Sequence, residues 1–215
     1  MAKRLARALG YIYIDTGAMY RAVTLFALRQ TLLPDGHFDF PRLQALMPEV
    51  KVSFCLDEAT GIPLTMLGDE VVEGAIRRMD VSQRVSEIAA QGFVRDAMTT
   101  QQRAMGANGG VVMDGRDIGT CVFPDAELKI FVTATPEVRA QRRFDEMKAK
   151  GEVADYEAIL QNVQERDYAD SHREIAPLRR ADDAILLDNS HLTLAEQDAW
   201  LLAKAIEIIG AKSFF

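Results

Sequence analysis

Residues 111–117, Val-Val-Met-Asp-Gly-Arg-Asp, constrain the fold more than any other stretch of the chain. Three apolar residues without alternation describe a strand buried on both faces. A buried parallel strand ends at the carboxyl edge of its sheet, where open α/β folds place their ligands. Asp114, Arg116 and Asp117 would project into a cleft there, around a Gly115 that permits a tight turn. An arginine between two carboxylates suits a ligand carrying both a phosphate and hydrogen-bond donors. A polar surface turn with a solvated ion pair fits the same residues equally well, so other segments have to decide.

The flanking sequence alternates between helix and strand. Residues 2–9 read as the end of an amphipathic helix closed by Gly10. Tyr11–Ile14 is a short strand, followed by a helix from Gly17 to about Gln30 with Met19, Val23, Phe26 and Ala27 on one face. Pro34, Asp35, Gly36 and Pro41 mark a loop. Val52–Leu56, Pro63–Leu67 and Glu70–Val72 read as short strands around a Thr60-Gly61 turn, a hairpin-rich insert rather than part of the main sheet. A helix-rich stretch from about Val81 to Met105 returns the chain to the strand at 111–113. Leu128–Val132 is the next strand. Thr135-Pro136-Glu137 opens a helix with a hydroxyl cap, proline and acid in the favoured order. A further helix is expected from about Tyr156 to Asp167 and a last strand at Ala184–Leu187. The final helix runs from Thr193, capped reciprocally by Glu196, to Gly210. This alternation predicts a parallel sheet flanked by helices.

Composition excludes several classes of function. The net charge of −7 leaves no excess of cations for a general nucleic-acid or anionic-membrane binder, although it allows a local basic pocket. No apolar run approaches the ~20 residues that span a bilayer. The first residues are basic but precede no apolar stretch, so the cytoplasm is the expected location. Cys55 and Cys121 lie among apolar neighbours and are expected to be buried free thiols.

Three more constellations carry chemistry. Asp15-Thr16-Gly17-Ala18-Met19-Tyr20-Arg21 follows a strand and opens a helix, which sets a hydroxyl and free N–H groups at an anion-binding end, with Arg21 one turn on. The same residues also fit plain helix capping, with Tyr20 and Arg21 on a solvated face. In Glu165–Arg173, helical spacing puts Arg166, Asp170 and Arg173 on one face. They form either a clamp for phosphates or an exposed i, i+4 pair worth ~0.3–0.5 kcal/mol. Arg139, Arg142 and Arg143, with Lys148 and Lys150, form a basic face that is either solvated or a lid closing on phosphates. His172 lies on an already charged face and is given no catalytic role.

Together these residues resemble the bacterial cytidylate kinase family, nucleoside monophosphate kinases of the P-loop superfamily. The resemblance rests on IDTGAMYRAV at 14–23, VSEIAA at 85–90 with Arg95, DGRDIGT at 114–120, VFPDA at 122–126 and ERDYADSHREIAPL at 165–178. It implies transfer of the γ-phosphoryl group of ATP, accompanied by Mg2+, to CMP or dCMP. Ser86, Arg95 and Asp117 match cytosine-recognising positions. Thr16, Arg21, Arg116 and Arg173 match positions around the monophosphate. Arg166 and Asp170 match positions that hold the ribose and support the phosphates, and Tyr20 falls within the same acceptor site. Arg142 would approach the transferring phosphoryl group, and Asp15 and Asp114 would lie near magnesium and phosphates. No protein metal site is identified, and a monomer is expected. The implied organisation is a core at 1–40, a monophosphate-binding insert at 41–105, core again at 106–136, a lid region at 137–178 and the core's C-terminal part at 179–215.

The family also begins with a strand and a loop of the form GxxxxGK[ST], and no such pattern occurs in these residues. Met1–Ala6 resembles the helix that follows that loop, and Lys3 has no glycine loop before it. The expectation is therefore an N-terminally shortened copy with the first strand and P-loop absent. Its apolar sheet edges would be exposed, its core weakened, and its activity reduced or lost. A non-catalytic CMP-binding module and a kinase for UMP or AMP are the alternatives; the Ser86, Arg95, Asp117 set disfavours the latter.

Overall fold

The computed structural model describes residues 1–57, 59 and 63–212, with side chains through residue 210. The expected Thr60-Gly61 turn lies outside the described residues. Helix α1, Ala2–Leu9, ends at Gly10, whose φ of 69° supplies the left-handed cap that glycine adopts freely. Strand β1, Ile12–Asp15, leads into α2, Thr16–Gln30. The Asp15 side chain caps α2 by accepting from the Ala18 N–H at 2.8 Å. A short α3, Phe40–Leu46, includes Pro41 in its first turn, so this proline starts a helix rather than extending the loop.

Strands β2 (Val52–Leu56), β3 (Pro63–Leu67) and β4 (Glu70–Val71) form an antiparallel sheet in that order. The helix-rich stretch is two helices, α4 (Met79–Ala89) and α5 (Gly92–Gly106). They are separated where Gln91 turns extended, with ψ 123°. Strand β5, Val111–Asp114, pairs in parallel with β1, so that Asp15 and Asp114 are register partners. A π-helical turn, Ile118–Val122, follows. Strand β6 (Ile130–Thr133) precedes α6 (Pro136–Ala149), capped by Thr135 as its sequence predicts. Helix α7 runs from Tyr156 to His172, a turn longer than expected. Strand β7 (Ile185–Asp188) pairs in parallel with β6. Helix α8 (Leu194–Lys212) carries the Thr193–Glu196 reciprocal cap and passes through Gly210 without stopping.

The parallel strands thus form two separate pairs, β1–β5 and β6–β7, with no ladder joining them among the described residues. Val111, Val112 and Met113 are half-buried instead of enclosed, because β5 has a strand neighbour on one side only. Ile12 and Leu186 are exposed. Cys55 and Cys121 are free and only half-buried. The principal core surrounds α2: Ala18, Met19, Ala22, Val23 and Ala27 are enclosed on all sides by Leu43, Ile76, Val81, Ile88, Val94 and Met98. Burial of this set holds α2, α4 and α5 around one cleft at the carboxyl ends of β1 and β5.

Candidate functional site

The cleft is walled by α2, α4, α5, the turn after β5, and α7. Helix α2 supplies Thr16, Tyr20 and Arg21, α4 supplies Ser86, and α5 supplies Arg95. The turn after β5 brings Arg116 and Asp117, and α7 with its C-terminal cap brings Arg166, Asp170 and Arg173. Val85, Ala89, Ala90 and Ala169 complete it with small apolar surfaces, leaving a flat slot beside the charged groups. Residues scattered over more than 150 positions of the chain therefore converge on one pocket.

At one end lies a buried ion pair. Arg95 and Asp117 are 3% and 6% exposed, and an Arg95 Nη2–H donates to Asp117 Oδ2. Arg95 also donates to the Ala89 carbonyl at 3.1 Å and lies over the Tyr20 ring, 5.4 Å from its centroid. Such a pair stays folded only when geometry and further hydrogen bonds offset the desolvation of both charges. Burial pushes the Tyr20 hydroxyl up to about 12. The end is rigid, and its polar groups can be aimed at a planar, hydrogen-bonding ligand.

At the other end guanidinium groups outnumber their partners. Arg116 Nε donates to Asp170 Oδ2 at 2.8 Å, which joins the turn after β5 to α7. Asp170 is thus engaged across the cleft and not by Arg166, while Asp114, Gly115 and Arg116 of the turn are exposed, as a polar surface turn would be. Burial, followed by the repulsion of Arg116, lowers the pKa of Arg166. Burial comes first for Arg21 too; Arg166 and Arg77 add to it and push this guanidinium down to about 10. Arg173 stands between the two ends, 3.9 Å from both Asp117 and Asp170, and burial followed by Arg95 lowers its pKa. Guanidinium groups that are partly desolvated and set close to one another remain charged and form a site with a strong affinity for anions. Arg21 meanwhile donates to Ser82 Oγ at 2.7 Å.

Asp15 and Asp114 stand side by side at the strand ends, just outside the cleft lining. Burial of the carboxyl and the neighbouring Asp15 charge push Asp114 up to about 6, although the residue as a whole is exposed. Tyr13 Oη donates to Asp114 Oδ1 at 3.1 Å, and burial and both carboxylates raise its hydroxyl. The Thr16 hydroxyl donates to the Asp114 carbonyl at 2.6 Å. Gly115 is required less for its dihedral angles than for space: a Cβ there would collide with the Thr16 hydroxyl and with Ile118.

Arg142 is not brought to the cleft. Its guanidinium donates to Asn189 Oδ1 at 3.0 Å and to the Asn189 carbonyl at 2.7 Å, which fastens α6 to the turn after β7. Arg143, the next residue, is the α6 cation close enough to depress Arg21. Arg139 pairs with Asp167 and pins α6 to α7, while Arg142, Arg143, Lys148 and Lys150 are exposed, as a solvated face would have them. His172 stacks on Tyr168 with ring centroids 4.0 Å apart. Sequence reasoning missed Arg77, which donates to Asp15 Oδ2 at 3.1 Å and to Glu73 Oε1 at 2.9 Å. It lies in a short 3₁₀ turn, Ala75–Arg77, with no periodicity to mark it.

Comparison with known proteins agrees with this geometry. The family model described as cytidylate kinase matches residues 1–207. A cytidylate kinase of Phocaeicola vulgatus is 59% identical over 204 residues, covering 95% of this chain and 89% of that protein. Cytidylate kinases of Bacteroides fragilis and Porphyromonas gingivalis are each 56% identical, over 211 and 212 residues, with 98% of this chain and 92% of theirs covered.

Proposed function

The chain belongs to the cytidylate kinase family and is a nucleoside monophosphate kinase, and on that premise we propose that the cleft is the acceptor site for CMP or dCMP. The reaction is transfer of the γ-phosphoryl group of ATP to the monophosphate, giving CDP or dCDP and ADP. The carrying observation is the division of the cleft into a buried Arg95–Asp117 end and an end of under-neutralised guanidinium groups. The first end takes cytosine. Asp117 accepts from the exocyclic amino group, and the uracil carbonyl at the same place would be repelled; Ser86 and Arg95 complete the polar edge. The second end takes the phosphate on Arg21, Arg116, Arg166 and Arg173, with Asp170 holding Arg116 and the ribose.

Transfer of this kind depends on positioning and charge neutralisation rather than on a protein nucleophile. The guanidinium groups hold the acceptor oxygen in line and stabilise the charge spread over the moving phosphoryl. Magnesium bound with ATP would supply neutralisation of the donor phosphates. No cluster of three His, Cys, Asp or Glu side chains exists among the described residues. Asp15 and Asp114 are the carboxylate pair that fits a hydrated magnesium ion, which takes one or two protein carboxylates beside phosphates. Arg142 reaches the transferring group only after release from Asn189, in a lid spanning 137–178; residues 41–105 form the monophosphate-binding unit. No described helix is long and apolar enough to cross a membrane, and we place the enzyme in the cytoplasm as a monomer.

The same reading assigns these residues the acceptor side only. They contain no GxxxxGK[ST] loop, and no strand joins their two parallel strand pairs among the described residues. We therefore expect the 215 residues on their own to turn over slowly or not at all. A coupled assay of ADP release with CMP, UMP and AMP tests this. It is run on this chain and on one extended at its N-terminus by a strand and such a loop. Turnover confined to the extended chain and highest with CMP is expected. Equal turnover by the short chain overturns the donor assignment; CMP binding with no ADP release from either chain favours a non-catalytic module, and a preference for UMP or AMP overturns the cytosine assignment.

A further inference from the structure

Arg173 reaches the cleft from the end of α7, and its side chain is 12% exposed. One nitrogen of its guanidinium is already engaged: Nε donates to the carbonyl of Ala176 at 2.7 Å. Another, Nη2, is buried with no hydrogen-bond partner, its nearest carboxylate oxygen, on Asp117, being 3.9 Å away. Nη1 stands 3.9 Å from Asp170. A guanidinium is a rigid planar fork, so fixing Nε fixes where the two Nη groups aim.

The carbonyl that fixes it belongs to an unusual residue. Ala176 has φ 48°, the one positive value outside glycine among the described residues. Left-handed backbone crowds Cβ against the following carbonyl, and a residue before proline, here Pro177, favours extended conformations instead. The surroundings hold the turn in place. The Leu178 N–H donates to the Asp170 carbonyl at 2.7 Å, and Ile175 Cδ1 sits where the absent Cβ of Gly92, the first residue of α5, leaves it room. Backbone strain of this kind persists where neighbouring structure over-determines it, and it concentrates at binding sites.

We propose that Ala176 is a positioning residue of the acceptor pocket: its left-handed turn presents a carbonyl to Arg173 Nε and so aims the partnerless Nη2 at the bound nucleotide. The proposal rests on reading the cleft as the CMP site. It gives the segment after α7 a role distinct from the side chains that line the cleft. Its donor and acceptor atoms are backbone and Nε, and no ligand atom need touch Ala176.

The test is calorimetric titration of CMP into the whole chain and variants, with far-UV circular dichroism to confirm folding. Ala176→Val places a β-branched residue where φ is positive and should flip the turn, weakening CMP about tenfold by loss of an aimed, charge-assisted contact. Ala176→Gly is the conservative variant; glycine takes the turn without strain and should retain CMP binding. Arg173→Lys keeps the charge but has no Nε–H, and should itself weaken CMP about tenfold. The double variant that combines Arg173→Lys with Ala176→Val should bind no more weakly than Arg173→Lys alone, because the carbonyl acts only through Arg173. Additive losses, or a folded Ala176→Val that binds as the parent does, overturn the proposal. Should Ala176→Val not fold, unchanged binding by Arg173→Lys overturns it. Absence of CMP binding by the parent chain would instead refute the acceptor reading itself.

Discussion

Asp117 carries the heaviest burden of any single residue. Its carboxylate is 6% exposed and faces an Arg95 that is 3% exposed. Removing one partner of a buried pair leaves an uncompensated charge, which costs about 3–5 kcal/mol. Asp117→Ala should therefore lower the urea midpoint sharply, while also abolishing any preference for a base with an exocyclic amino group. Equilibrium unfolding with and without CMP checks both effects. Asp114 behaves in the opposite sense. Its carboxyl is raised from an ordinary 3.8 to about 6, chiefly by burial and then by Asp15. Folding favours its protonated form, so its contribution is fully present below about pH 4 and is lost as pH rises through about 6. Asp114→Asn removes that dependence. Thermal unfolding between pH 4 and pH 7 should show the parent losing stability relative to the variant across this window; parallel curves would show that Asp114 does not titrate as described.

Elements place these residues more than local propensity does. Helix α2 meets the turn after β5 so closely that Gly115 has no room for a Cβ beside the Thr16 hydroxyl. Gly115→Ala should displace Thr16 from the Asp114 carbonyl and weaken CMP binding several-fold, with little change in helix content by circular dichroism. The contacts behind this prediction differ in how legible they are in the sequence. Asp15, Thr135 and the Thr193–Glu196 box announce their helices through local hydrogen bonds, and all three caps are formed. The strands at 12–15, 52–56 and 185–188 follow from apolar runs bounded by turn residues. What stays hidden is non-local. Arg166 and Asp170 have the spacing of a helix pair, yet Asp170 is taken by Arg116 from 54 positions away. Nothing in the pattern separates Arg142 from Arg143, although one binds Asn189 and the charge of the other is felt at Arg21. Arg77 had no periodic signal at all.

For the molecule as a whole, the proposed acceptor cleft and the parallel strands differ in how they are packed. The cleft is assembled around the enclosed α2, where burial is deepest, while no ladder joins the two parallel strand pairs among the described residues. Of the cleft arginines, Arg21 and Arg95 are held by helices of that core, whereas Arg116 comes from the turn after β5 and Arg166 and Arg173 from α7, which adds no residue to it. On the reading proposed above, the cleft recognises the acceptor nucleotide and selectivity belongs to binding. The most direct test is calorimetric titration of this chain with CMP and, under identical conditions, with UMP. The account predicts saturable CMP binding at least tenfold tighter than UMP binding. Equal affinity for the two nucleotides, or no CMP binding at millimolar concentration, would contradict it.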